Sequence, residues 1–259
     1  MKTVLVTGAC INTGVAIVER FAAEGYNVVF TGRSEDKVHT AEAAYKEKFP
    51  NVEIIGYAID SLLDERTVDE ESADKMFDFL DKNGIFIDTL VLNAADQGLG
   101  MKVFESPLTD LMRVINTNVV WNFYLCECAA RRMKDQGGGS IVFVNSNTAY
   151  RAIPDRVAYV ASKGGQLGLM RALALDLGKY NIRVNAVLPG MIKTDRWEKN
   201  PEFYARVPSR FTPIGDVAVG EDVADAVFYF AAHARNTTGA ELVVDGGNTI
   251  QLYPIIPEE

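Results

Sequence analysis

Apolar positions along the 259-residue chain fall into two alternating patterns. Short apolar runs, rich in Val, Ile, Leu and Phe, predict strands near 3–7, 27–31, 52–58, 88–93, 140–145, 182–188 and 241–244. Between them, apolar residues recur every three or four positions, which predicts helices near 14–24, 34–48, 70–82, 108–133, 156–179 and 221–232. In the first helix, Val15, Ile17, Val18, Phe21 and Ala22 can face a sheet. The alternation runs without a repeat or a linker. It predicts an α/β fold in one domain over residues 1–259, a doubly wound parallel sheet of about seven strands with helices on both faces. The acid-rich stretch Asp60 to Asp81 is longer than a minimal connection and reads as a solvated face.

The first strand runs into a glycine-bearing turn, Thr7-Gly8-Ala9-Cys10-Ile11-Asn12-Thr13-Gly14, and then into a helix and a second strand. That order makes a Rossmann-type mononucleotide-binding unit, in which backbone N–H groups at the helix N-terminus receive a pyrophosphate. Gly8 permits a sharp turn, and Gly14 permits close helix–strand packing. Asn12 stands where a middle glycine is expected, and asparagine is the residue after glycine that best tolerates left-handed geometry.

Composition narrows the partners. A net charge of −9 and a pI near 4.9 argue against nucleic acid or an anionic membrane. Cys10, Cys126 and Cys128 are too few and too awkwardly spaced for a disulfide framework, and the isolated His39 and His233 suggest no metal site. No apolar run approaches ~18 residues, so no membrane span is expected. Met1-Lys2 leads directly into the first strand without a signal-peptide pattern, so the expected location is cytoplasmic.

The candidate chemistry lies in Ala158-Tyr159-Val160-Ala161-Ser162-Lys163. On a helix, Tyr159 and Lys163 share a face. A lysine charge beside a phenol favours the phenolate, giving a group able to exchange protons near neutral pH. Ser146 precedes the pair.

These residues, taken in order, resemble those of a classical short-chain dehydrogenase/reductase over essentially the whole chain. Thr7-Gly8 through Gly14 resembles that family's cofactor turn. Asp60 matches its adenine-contacting acid, and Leu92-Asn93-Ala94-Ala95 its Asn-Asn-Ala-Gly segment. Asn118, Ser146, Tyr159 and Lys163 match its catalytic residues. Pro189-Gly190 with Ile192 and Thr194 matches the loop over the nicotinamide, and the TGAELVVDGG stretch resembles its closing strand. The departures are Asn12, Leu92 and Ala95, which bear on cofactor fit rather than on chemistry.

The resemblance implies that Tyr159 exchanges the substrate proton and Ser146 polarises the carbonyl. Lys163 would lower the Tyr159 pKa and bond the nicotinamide ribose. Asn118 would hold a water leading protons to Lys163. Asn93 and Ala94 would line the ribose side, with Gly8, Asn12, Thr13 and Gly14 at the pyrophosphate. A homotetramer is the expected assembly. Residues 191–215, broken by Pro201, Pro208 and Pro213, would form a substrate lid.

Cofactor choice is read at the end of the second strand. An acid there would bond the ribose hydroxyl of NAD and repel a 2′-phosphate. The chain instead has Gly32 followed by Arg33 and Ser34, which favours NADP(H) over NAD(H). The resemblance implies a small carbonyl compound or alcohol as substrate, and a sugar or polyol, a 3-oxoacyl thioester and a hydroxysteroid all remain open. Tyr150 would narrow the entrance, and the apolar tail from Thr249 to Ile256 would edge the pocket or meet another subunit. Two alternatives are an enoyl reductase or epimerase on the same fold, and a cofactor-binding protein without catalysis. In the resemblance, enoyl reductases space the tyrosine and lysine more widely than Tyr159 and Lys163.

Overall fold

The computed structural model describes residues 1–194, 197, 199, 201–205 and 210–254. Its elements, in chain order, are β1 (Thr3–Val6), α1 (Thr13–Ala23), β2 (Asn27–Gly32), α2 (Glu35–Lys48), β3 (Ile54–Ala58), β4 (Leu62–Asp64) and β5 (Thr67–Val68). Then come α3 (Glu70–Lys82), β6 (Thr89–Leu92), α4 (Leu108–Ile115), α5 (Trp121–Asp135), β7 (Gly139–Val144), α6 (Val157–Leu177) and β8 (Ile182–Pro189). The last are α7 (Pro201–Ala205), α8 (Gly220–Phe228) and β9 (Glu241–Val244). Pro208, Ile255 and Ile256 lie outside the described residues.

Seven strands form one sheet in the order β3-β2-β1-β6-β7-β8-β9, every neighbour parallel. The period-2 alternation of strands divides the core. Val4, Val6, Val28, Phe30, Val91, Val142 and Val187 turn to one face and meet Ile17, Val18 and Phe21 of α1 and Val223 and Val227 of α8. Leu5, Val29, Leu90, Leu92, Ile141, Phe143 and Val184 turn to the other, against Met76 and Phe77 of α3, Leu125 of α5 and Met170 of α6. Burial on both faces explains why the strands read as continuous apolar runs. Each such side chain contributes roughly 1.5–3 kcal/mol of burial. Phe21 ties its layer together, its ring 5.2 Å from both Tyr26 and Phe228 in edge contacts.

Three expectations change in detail. The helix expected over 108–133 is interrupted by a π turn, Asn116–Val120, between α4 and α5. Such an inserted residue re-aims local groups, and Asn118 sits in its middle. The C-terminal helix likewise ends in a π turn, Tyr229–His233; Arg183 of β8 donates to the carbonyls of Phe230, Ala231 and Ala234 around it. The stretch read only as a solvated face contains the antiparallel hairpin β4–β5, whose two strands are too short to show a period. Asn116 donates to Glu65 O, and Ser61 donates to Thr117, so the hairpin rests on the π turn.

No helix among the described residues is long and apolar enough to cross a membrane. No group of three or more His, Cys, Asp or Glu among them is placed to hold a metal ion.

Candidate active site

Strand order reverses beside β1, so the carboxyl ends of β1, β2, β6, β7 and β8 open on a common crevice. The turn after β1 lies at its centre. Gly8 has φ +65°, and Asn12 has φ 50° with ψ −132°, a positive-φ conformation outside the left-handed helical well. Asn12 N-caps α1 without a side-chain hydrogen bond, and the first turn of α1, opened by Thr13 and Gly14, carries no acid. A helix N-terminus of this kind leaves backbone donors for an anion. A Cβ on Gly14 would stand 2.5 Å from Gly8 O and 2.9 Å from Asn93 Nδ2. Asn93 supports the turn by donating to Thr7 O and Gly8 O, both at 3.0 Å, while Thr7 Oγ1 accepts from the N–H groups of Asn93 and Ala94.

At the adjoining strand end, Gly32 has no space for a side chain: its Cβ would meet Cys10 Sγ at 2.4 Å and Val38 at 2.9 Å. Arg33 follows it, exposed. Ser34 Oγ caps α2, accepting from Lys37 N, and Thr31 Oγ1 accepts from Gly8 N. Both hydroxyls therefore have structural partners. Asp60, exposed beyond β3, accepts from Ser61 N on the same rim. These residues fit a dinucleotide, with the helix end at the pyrophosphate and the Gly32–Arg33 corner at the adenosine ribose.

Ser146 follows β7 and Tyr159 lies in the first turns of α6, close enough for the serine hydroxyl to act on the phenol. Ser146 Oγ also accepts from Thr148 N and Thr148 Oγ1, at 3.2 and 3.0 Å. The Lys163 ammonium stands 5.6 Å from the centre of the Tyr159 ring. It donates to Val144 O at 3.0 Å and to Gln166 Oε1 at 3.1 Å. Beyond β8, Gly190 N donates to Val244 O, Ile192 O accepts from the Trp197 indole, and Thr194 O accepts from Trp197 N. Pro189 ends the strand beside Val244.

The electrostatics differ from the sequence expectation. Burial pushes the Tyr159 phenol up, and the opposing influences are the Ser146 hydrogen bond and the charge of Arg156. Burial also lowers Lys163 from 10.5 to about 7. A lysine lowered to about 7 carries only part of its charge near neutrality and offers little to a phenol that burial raises. The cation acting on Tyr159 is therefore Arg156, and the phenol is in its protonated form at neutral pH.

Asn118 is also engaged differently. Its Oδ1 accepts from Asp96 N, and its Nδ2 donates to Asp96 O and Ser162 Oγ. Its backbone oxygen accepts from Asn122 Nδ2 at 2.9 Å and Gln166 Nε2 at 2.6 Å. A carbonyl oxygen has two lone pairs, and these two amides engage both on Asn118 O, one of them, Gln166, also reaching Lys163. The sequence reading missed Gln166 and Asn145, both buried. Their only sequence signal is polarity at positions where helix or strand pattern demands an apolar residue. Tyr150, expected to narrow the entrance, turns to Glu241 instead. Asp96, paired with Arg113, and Arg156, which donates to Gln97 O, pin the loop on the opposite wall.

A family model described as enoyl-(acyl carrier protein) reductase matches residues 8–249. An L-rhamnose 1-dehydrogenase (NAD(P)(+)) from Azotobacter vinelandii is 34% identical over 260 residues, covering 97% of this chain and 98% of the relative. A 3alpha-hydroxysteroid dehydrogenase from Mediterraneibacter gnavus is 33% identical over 247 residues, covering 95% and 96%. Among solved structures, an L-sorbose reductase from Gluconobacter frateurii, complexed with NADPH and L-sorbose, superposes with a TM-score of 0.87 at 28% identity, covering 97% of each chain.

Proposed function

Because the chain belongs to the short-chain dehydrogenase/reductase family, an oxidoreductase family acting on CH–OH and C=O groups with NAD(P), we propose that it interconverts a ketone and a secondary alcohol with NADP(H). The observation that carries this reading is the buried Lys163 ammonium 5.6 Å from the ring of Tyr159, one turn earlier on α6, with Ser146 beside the phenol. When bound, the nicotinamide supplies or accepts the hydride at the substrate carbon.

In the reducing direction the Tyr159 phenol gives its proton to the carbonyl oxygen as that oxygen gains negative charge. Burial keeps the phenol protonated at neutral pH, which is the form this direction requires. In oxidation the same oxygen takes the alcohol proton. Ser146 Oγ donates a hydrogen bond to the substrate oxygen, which Thr148 assists by donating to Ser146. Lys163 holds its ammonium beneath Tyr159 and orients the ribose. Gly8, Asn12, Thr13 and Gly14 receive the pyrophosphate, Asp60 the adenine, and Asn93 and Ala94 the ribose side. Pro189, Gly190, Ile192 and Thr194 face the nicotinamide, and the described part of residues 191–215 borders the substrate.

The preference for NADP(H) follows from Gly32 and Arg33. Position 32 carries no acid to select NAD(H), the space of its Cβ being taken by the Cys10 and Val38 side chains, and the exposed guanidinium beside it suits a 2′-phosphate. A sugar or polyol, an oxosteroid and a 3-oxoacyl thioester remain the substrate classes. Exposed Phe104 and Phe123 leave apolar surface that a homotetramer would cover. The family model's description favours a second reading, reduction of a C=C bond conjugated to a carbonyl.

The test is NADPH consumption across ketoses, 3-oxoacyl thioesters, oxosteroids and an enal, with Tyr159→Phe alongside. Carbonyl turnover should fall by roughly 10²–10⁴ in the variant while NADPH still binds. Undiminished turnover in Tyr159→Phe would remove the proton-transfer assignment. Saturation of the enal's double bond with its carbonyl intact would support the second reading.

A further inference from the structure

Beneath Tyr159 and Lys163 lies a layer of buried amides that this mechanism leaves without a role. Gln166 is one turn beyond Lys163 on α6, and its relative exposure is 1%. Gln166 Oε1 accepts from Lys163 Nζ at 3.1 Å and from Asn145 Nδ2 at 3.2 Å. Gln166 Nε2 donates to Asn118 O at 2.6 Å. Asn145 Nδ2 donates in turn to Lys163 O, and Asn145 Oδ1 accepts from Ser146 N. One network thus joins the backbones at Asn118, Ser146 and Lys163 to the lysine ammonium.

The amide orientation follows from its neighbours. Turning Gln166 over would set its NH₂ group against the Lys163 ammonium and the Asn145 NH₂, and would set its oxygen against the Asn118 carbonyl. An ammonium has three hydrogens; Val144 O and Gln166 Oε1 take two, which leaves one direction for a ligand hydroxyl. We propose that Gln166 is a positioning residue that fixes the Lys163 ammonium in the site and opposes the loss of its proton. The proposal rests on the oxidoreductase reading only for its consequence on rate.

Tyr159, on the same helix, faces the ammonium; β7 offers the Val144 carbonyl and Asn145, and the π turn reaches the cluster through Asn118 and Asn122. Removing the Gln166 oxygen takes away an acceptor that favours the charged lysine, so its titration moves to lower pH. A carboxylate in its place moves the titration to higher pH.

Protein labelled with [¹³Cε]lysine, its Lys163 resonance assigned by loss in Lys163→Met, reports the titration without any substrate. Gln166→Leu should lower the midpoint by about one pH unit and Gln166→Glu should raise it by about one unit. Gln166→Met stands in for Gln166→Leu if the latter fails to fold, as judged by circular dichroism. The pH limb of carbonyl reduction should move with the same signs. A purely structural glutamine would cost stability in all variants and leave the midpoint where it was, and that result overturns the proposal. If the midpoint moves as expected but wild type reduces no carbonyl, the positioning role stands and the oxidoreductase reading falls.

Discussion

Replacing Lys163 by methionine tests the electrostatics of the site through stability alone. The structure buries this lysine completely, beneath Tyr159, and lowers it from 10.5 to about 7. In the unfolded chain it returns to about 10.4. Between these values the unfolded chain holds a proton that the folded chain has released, so unfolding takes up a proton. Raising the pH makes that uptake harder, and the wild type gains stability. The lysine's contribution is therefore most favourable above its unfolded value and is lost as pH falls through about 7. At about 1.36 kcal/mol per pH unit, the gain between pH 6 and pH 9 is roughly 2–3 kcal/mol. Tyr159, raised by burial, stays protonated in that window and adds no slope.

Methionine removes this dependence. It also removes the lysine donor from Val144 O and from Gln166 Oε1, which keeps Asn145 Nδ2, but that loss is nearly the same at every pH and cancels from the slope. Urea denaturation of both proteins at about pH 6, 7, 8 and 9 measures the effect. The difference in unfolding free energy, wild type minus Lys163→Met, should rise steadily across the series. Parallel pH dependences would show that the buried lysine keeps its proton throughout, and would refute the argument from burial.

Two further substitutions probe the cofactor end. Gly14→Ala places a methyl group 2.5 Å from Gly8 O and 2.7 Å from Ala9 Cα, both backbone, so the turn must open. Overpacking of this kind costs about 1–3 kcal/mol, and the variant should melt earlier and bind NADPH at least about tenfold more weakly. Wild-type affinity by fluorescence titration would show that the turn is not the pyrophosphate site. Arg33→Ala should lower kcat/KM for NADPH by roughly one to two orders of magnitude and leave that for NADH nearly unchanged, as expected for loss of a charge-assisted contact of about 1.5–3 kcal/mol. An unaltered ratio of the two cofactors would dissociate Arg33 from the 2′-phosphate.

The sheet was legible because its strands are buried on both faces, so β1, β2, β6, β7 and β8 announce themselves as apolar runs between helical periods. The hairpin β4–β5 was not, because strands of three and two residues carry no period. The π turn at Asn116–Val120 was hidden for a different reason: one extra residue in a helix leaves the apolar spacing of Leu108 to Asp135 nearly intact. Yet it is this insertion that turns the Asn118 carbonyl toward Gln166.

The spacing of Tyr159 and Lys163 was enough to find the pair but not to give the sign of their influence on each other. The expectation of a depressed phenol assumed a charged lysine, as on a solvated helix face. The sequence around them, with Gly164, Gly165 and Gly168 among the next residues, shows no sign of how deeply α6 carries Lys163 under the strand end. Burial is set by β7, whose Val144 carbonyl approaches the ammonium, and by the π turn, whose Asn118 carbonyl holds Gln166. Both are distant in sequence. Burial disfavours the charged forms of tyrosine and lysine alike, so it raises one and lowers the other and can reverse a sign inferred from proximity. The amides of Gln166 and Asn145 oppose that tendency at the lysine. They have no counterpart at Tyr159, where Ser146 and Arg156 act instead. The two members of the pair are thus tuned by separate neighbours, so substitution at Gln166 should move Lys163 while leaving the influence of Ser146 and Arg156 on Tyr159 in place.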